Sequence, residues 1–123
     1  MLALKNPSEA YRRVDFDARV SGAKPEQLVA LCYEQLIGAL GSALFAHERA
    51  DNRAKSEALT RAVSALTALL MGVSGDDGTA RALTHLYEAA RRRLLDSVVT
   101  FKPEAITELR NDFREIAAAL SRG

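Results

Sequence analysis

Apolar residues recur at three- and four-residue spacings in four long stretches, and polar or glycine-rich breaks separate them. The stretch from Lys24 to Glu48 is the widest. Leu28, Leu31, Cys32, Leu36, Ala39, Ala43 and Ala46 form one helical stripe in it, and Val29, Tyr33, Ile37, Leu40 and Leu44 form a second beside the first. A helix covered on a single face needs one stripe about 100° wide. Two stripes predict a helix covered by several neighbours, or by neighbours plus a partner. A second stretch, capped by Asp51 or Asn52 and running to about Met71, places Ala58, Leu59, Ala62, Val63, Leu66, Leu69 and Leu70 on one face. A third, from about Thr79 to Val98, turns Leu83, Leu86, Tyr87, Ala90, Leu94 and Val98 inward, and a fourth does the same with Ile106, Leu109, Phe113, Ile116, Ala117 and Leu120.

The breaks agree with the stripes. Pro25 and Pro103 each follow a lysine and precede a glutamate, a helix-starting arrangement because proline lacks the N–H that a first turn leaves unpaired. Gly72 to Gly78 combines glycines with the carboxylates of Asp76 and Asp77 and reads as a loop. Asn6-Pro7-Ser8-Glu9 signals an earlier, short helix from Pro7 to about Phe16, with Ala10, Tyr11 and Val14 on one side, and Val20 to Ala23 reads as a break. Isolated helices this short are marginal in water, so the segment is apolar enough to dock and short enough to detach. No stretch alternates as a strand does. The predicted fold is all-α: one domain over residues 1–123, an antiparallel up-down four-helix bundle over 24–121 with a short extra N-terminal helix in a detachable segment, 1–20.

Composition narrows the function. At 123 residues the chain suits one domain with a core, and a net charge of +1 gives no field to capture phosphate backbones or anionic lipid. No tryptophan is present and aromatics make up 6%, so base stacking on single strands finds no support. The apolar run before Lys5 is too short for a secretory signal core, no run of about 18 apolar residues follows, and a single cysteine excludes an internal disulfide, so the expected compartment is the cytosol. Catalytic, cofactor and metal residues are not expected. His47 and His85 stand on different helices without ligand spacing, and Cys32 lies on an apolar face as a small core residue would. Gly72 to Gly78 lacks the Lys-Ser/Thr ending of a phosphate loop.

Two features leave alternatives open. Arg91-Arg92-Arg93 reads either as solvated faces near a helix C-terminus or as a source of one arginine that grips a partner carboxylate. Gly38 and Gly41, with Ser42, sit inside a helix where each glycine costs about 0.8–1 kcal/mol relative to alanine. Something therefore approaches the backbone closely. It is either a neighbouring helix of the bundle, or a foreign helix in a groove bordered by Gly38, Gly41, Ser42 and Phe45.

Three segments together resemble the FliS flagellar export chaperones. Lys5-Asn6-Pro7 with Ala10-Tyr11 is similar to that family's N-terminal pattern. Lys24-Pro25-Glu26-Gln27-Leu28-Val29-Ala30-Leu31-Cys32-Tyr33-Glu34, then Ile37 and Leu40, resembles its Ser-Pro-Glu-Glu-Leu-Val segment. Leu83, Leu86-Tyr87 and Arg92-Arg93-Leu94 follow the later leucine-tyrosine-arginine pattern. The resemblance spans Asn6 to about Leu120. It implies a non-enzymatic four-helix bundle that binds the disordered C-terminal segment of newly made flagellin, holds it unpolymerised and passes it to the flagellar export gate. It also implies an N-terminal lid, here Leu4, Tyr11 and Val14, that flagellin displaces from the groove.

On this reading the groove and lid comprise Leu4, Tyr11, Val14, Leu28, Tyr33, Ile37, Gly38, Gly41, Phe45, Leu86, Tyr87 and Arg93. The departures are instructive. Lys24 stands where the family has a capping serine, and Gln35, Gly38 and Ala39 replace glycine, arginine and phenylalanine. Ala89-Ala90 replace an aromatic-methionine pair. Large residues have become small, which predicts a wider groove. The alternative from another class is a helical module that pairs with itself, as a homodimer, through the exposed stripe of the Lys24–Glu48 helix.

Overall fold

In a computed structural model, residues 16–22 and 24–122 are described. They are helical throughout apart from short connections, and no strand occurs among them. A short helix α1 covers residues 16–21, followed by α2 (Pro25–Glu48), α3 (Asn52–Gly72), α4 (Gly78–Val99) and α5 (Pro103–Arg122). The predicted short helix falls mostly outside the described residues. One boundary is corrected: Val20 and Ser21 belong to α1, and the helix stops only at Gly22, whose N–H donates to the Ala18 carbonyl at 3.3 Å. A β-branched valine does not end a helix that a tertiary contact holds, and Arg19 of α1 supplies one by pairing with Glu34 of α2 at 2.6 Å.

Local chemistry explains the remaining ends. Lys24 offers no side-chain acceptor, but its N–H donates to Gln27 Oε1 at 2.9 Å, so half of a capping box survives without a serine. Asp51 accepts from the Ala54 N–H at 3.1 Å, and Asp77 accepts from the Ala80 N–H at 2.8 Å. At the end of α2, the Ala50 N–H donates to the His47 carbonyl at 3.0 Å and the Asp51 N–H to the Ala46 carbonyl at 2.9 Å. This is a Schellman closure with Ala50 in the left-handed position at φ 55°, where glycine is the usual occupant.

The four long helices pack in sequence order as antiparallel neighbours. α2 lies between α3 and α5, α3 also packs on α4, and α4 meets α5 least closely. The core is filled by Leu36 and Leu40 of α2, Leu66 of α3, Leu94 of α4, and Ile106 and Phe113 of α5, all sealed from water. Both stripes of α2 contribute to the core: Cys32, Leu36, Ala39, Ala43 and Ala46 of the first and Tyr33 and Leu40 of the second are buried, while Leu28, Leu31, Ile37 and Leu44 are half-buried and Val29 is 43% exposed. Small residues dominate the α2–α3 contact, with Ala39, Ala43, Ala58, Ala62 and Ala65 all buried, which lets the two helices approach closely.

Candidate functional site: an apolar groove along α2

Antiparallel order brings the start of α2, the end of α3, the start of α4 and the end of α5 to one end of the bundle. Two depressions open there. The first, about 510 Å³, is walled by Leu28, Val29 and Cys32 of α2, Ala68 and Leu69 of α3, Leu83 and Tyr87 of α4, and Leu120 of α5. The second, about 460 Å³, lies in the seam between α2 and α5 and is lined by Val29, Ala30, Tyr33, Glu34, Ile37, Ala117, Leu120 and Ser121. Val29 and Leu120 border both, so the two form one surface around a shared ridge. Both residues are substantially in water, Leu120 to 53%. Val29 continues a helical stripe and Leu120 ends one. The same periodicity that builds the core therefore leaves apolar side chains over the end of the bundle, where no further helix among the described residues covers them.

The floor beneath is aromatic. The Tyr33 and Tyr87 hydroxyls are 2.8 Å apart and share a hydrogen bond, and both rings lie near Phe113, with centroids 5.6 and 6.3 Å away. Burial, then the hydrogen bond and charge of its partner, pushes the Tyr33 hydroxyl far above the ordinary phenol range. Burial raises Tyr87 too, although the hydrogen bond from Tyr33 opposes it, and burial also raises the Cys32 thiol. All three are neutral near pH 7 and offer no nucleophile or anion to the groove.

Charge appears only at the rim. Glu34 is held by both terminal nitrogens of Arg19, at 2.6 and 3.0 Å, and the hydrogen bond from that guanidinium keeps its carboxyl below the usual range. One turn beyond Ile37, the seam narrows where Arg110 of α5 lies against Gly41 of α2. Gly38, on the exposed flank, has nothing within 4 Å of where a Cβ would stand. Further along α2, Phe45 is 59% exposed, with the Arg49 guanidinium 5.3 Å from its ring centroid.

The residues expected at a groove are thus divided. Leu28, Tyr33, Ile37 and Tyr87 gather at the open end, with the two tyrosines as buried floor. Gly41 lies in the seam one turn beyond Ile37, against Arg110, while Gly38 and Phe45 face outward on the exposed flank of α2, about 160–180° round the helix from Val29. Leu86 is half-buried against the core and borders neither depression. Arg93 lies apart, bonded to Glu108 across α4 and α5 at 2.9 Å, and lines a more polar depression at the other end of the bundle. Leu4, Tyr11 and Val14 lie outside the described residues. Val29, Ala30, Ala117 and Leu120 border the groove without having been singled out for it. The two interior glycines serve different ends: Gly41 admits a neighbour's side chain, while Gly38 faces open space.

No group of three or more metal-ligating side chains occurs among the described residues. His47 has a structural setting, with its ring 4.5 Å from Phe101 and its Nδ1 3.2 Å from Lys55 Nζ.

Residues 7–121 match the family model of the flagellar protein FliS. The chain belongs to the FliS family. A curated relative, the flagellar secretion chaperone FliS of Salmonella typhimurium strain LT2, is 32% identical over 114 residues, covering 90% of this chain and 84% of the relative. The FliS chaperones are a non-enzymatic family. One trait of this FliS chain bears on the expectation that no run of about 18 apolar residues occurs. Gln27–Glu48 is long and apolar enough on average to cross a bilayer. The average tolerates Glu34 and Gln35, which interrupt any continuous apolar run, and the helix packs against α3 and α5 as the central element of the bundle.

Proposed function

We propose that this FliS-family protein is a cytosolic chaperone of flagellin. It takes the disordered, helix-forming C-terminal segment of its client along the α2–α5 seam and the adjoining depression, keeps it from polymerising, and hands it to the flagellar export apparatus. The observation that carries the reading is the uncovered apolar surface around Val29 and Leu120, continued along the α2–α5 seam by Ile37. Val29 to Ile37 spans about 12 Å of helix, enough to seat some two turns of a client. Apolar clefts of several hundred cubic ångströms beside an exposed helix face suit an amphipathic helix docking by its apolar side. In this reading Leu4, Tyr11 and Val14 compete for the same surface.

Calorimetric titration with the C-terminal segment of the cognate flagellin tests it. The full-length protein is expected to bind, and Val29→Asp and Leu120→Asp to weaken binding at least tenfold. Unfolding midpoints should hardly move, because both side chains already sit largely in water. Removing the first 15 residues is expected to leave the bundle folded and tighten binding. A folded protein that ignores the segment, or aspartate variants that bind it as well as the parent, would end the proposal.

A further inference from the structure

We infer that Arg110 is the polar anchor of the α2–α5 seam and that it reads a carboxylate on the segment the groove receives. The inference rests on the client reading above. A Cβ at Gly41 would stand 3.2 Å from Cζ, Nε and Nη2 of Arg110 at once, so the guanidinium lies close against the backbone of α2, in a place that a larger residue would make it shift from. Its Nε is shut off from water and has no hydrogen-bond partner. Among the described residues Arg110 makes no ion pair, whereas Arg19 and Arg93 each hold a glutamate at 2.6 and 2.9 Å.

A guanidinium presents its donors in a planar fork that matches a carboxylate bidentately, and partly desolvated donors left without an acceptor are costly. Fixing such a fork against a helix backbone, with no acidic partner among the described residues, leaves room for an acceptor brought by the segment that docks there. Its place suits that role. Gly41 is one turn beyond Ile37, the last α2 residue lining the seam depression, and Gly38 beside it lets an incoming helix come close. A carboxylate on the flank of that helix then meets Arg110. Glu34, toward the other end of the seam, disfavours the reverse orientation, so the anchor also sets client polarity. The acceptor class is a carboxylate, whether an aspartate or glutamate side chain or a chain end. A polyanion is disfavoured by Glu34 and by a net charge of only +1.

Arg110→Gln removes the charge and the fork while keeping most of the volume. The test titrates full-length parent and Arg110→Gln proteins with the flagellin C-terminal peptide. It also uses peptides in which each acidic residue is singly neutralised to Asn or Gln and one in which the terminal carboxylate is amidated. The expected result is about a tenfold loss for the variant, the scale of one charge-assisted pair. That loss should vanish for a single modified peptide, which binds the parent protein correspondingly less well. Equal binding of every peptide by parent and variant, or the same loss for all of them, overturns the inference while leaving the groove intact. Failure of the parent to bind any peptide overturns the client reading and the anchor together. If Arg110→Gln does not fold, the modified peptides against the parent protein still decide, because a carboxylate contact predicts that one of them, and not all, loses affinity.

Discussion

The paired hydroxyls of Tyr33 and Tyr87 give the sharpest test of how the groove floor is built. Each tyrosine is nearly sealed, at 2% and 3% exposure, and each hydroxyl lies 2.8 Å from the other. Tyr33→Phe keeps the ring against Phe113 but leaves the Tyr87 hydroxyl buried beside a hydrogen atom. An orphaned buried polar group costs about 1–3 kcal/mol, and Tyr87→Phe should cost a similar amount for the reciprocal reason. The double variant removes both hydroxyls and orphans nothing, so it should lie within about 0.5 kcal/mol of the parent, well short of the sum of the singles. With a urea m-value of about 1.5 kcal/mol/M for a chain of this size, each single should lower the midpoint by about 1 M, and the double should recover most of that. Equilibrium urea unfolding followed by circular dichroism reads all four proteins. If the double loses the full sum of the singles, the hydroxyls act independently and the pair is not a unit. If the singles lose nothing, water reaches the floor and the cleft is deeper than its burial implies.

Two further outcomes follow from the same features. Stability should be fully present below about pH 8 and fall as pH rises through the ordinary thiol and then phenol ranges, because Cys32, Tyr33 and Tyr87 are all raised in the native state and the unfolded chain releases those protons first. The Tyr33→Phe/Tyr87→Phe protein should show a gentler alkaline decline in unfolding midpoint, and an unchanged slope would contradict that account. Gly38→Ala should raise the thermal midpoint, by the equivalent of about 0.8–1 kcal/mol, since the added methyl meets nothing within 4 Å. It should also weaken flagellin-segment binding by holding the incoming helix away, and tighter or equal binding would place the close approach elsewhere.

The fold was legible because its signals are local. Pro25 and Pro103 start helices, Asp51 and Asp77 cap them, and the stripes turn at each break. The end of α1 was less so, because a tertiary ion pair between Arg19 and Glu34 carries the helix through Val20 and Ser21, and such a contact leaves no trace in local propensity. The groove was only partly readable for a related reason. Periodicity gives Val29 and Tyr33 the same apolar character, yet Tyr33 is covered by Phe113 and Tyr87 while Val29 sits at the end of the bundle with no opposing helix. Likewise, sequence marked Gly38 and Gly41 as equally unusual. Only the arrival of Arg110 from α5, about 70 residues later in the chain, separates them. Arg61 shows the converse, a charged residue that composition would send to the surface but that packing buries to 8%.

The ion pair between Arg19 and Glu34 also fixes where the chain leaves toward its N-terminus, at the rim of the groove. Fifteen further residues, reaching at most about 50 Å when extended, are therefore tethered beside it. On the proposed reading, in which Leu4, Tyr11 and Val14 compete for the groove, a link of that length would set a local concentration in the millimolar range whatever the amount of chaperone present. An occupant supplied in cis is thus immune to dilution, whereas one supplied in trans fills the groove in proportion to its own free concentration. If flagellin and residues 1–15 compete for the groove as proposed, occupancy by flagellin would report how much unexported flagellin the cell holds, and the weakness of the cis competitor would set the level at which that report begins.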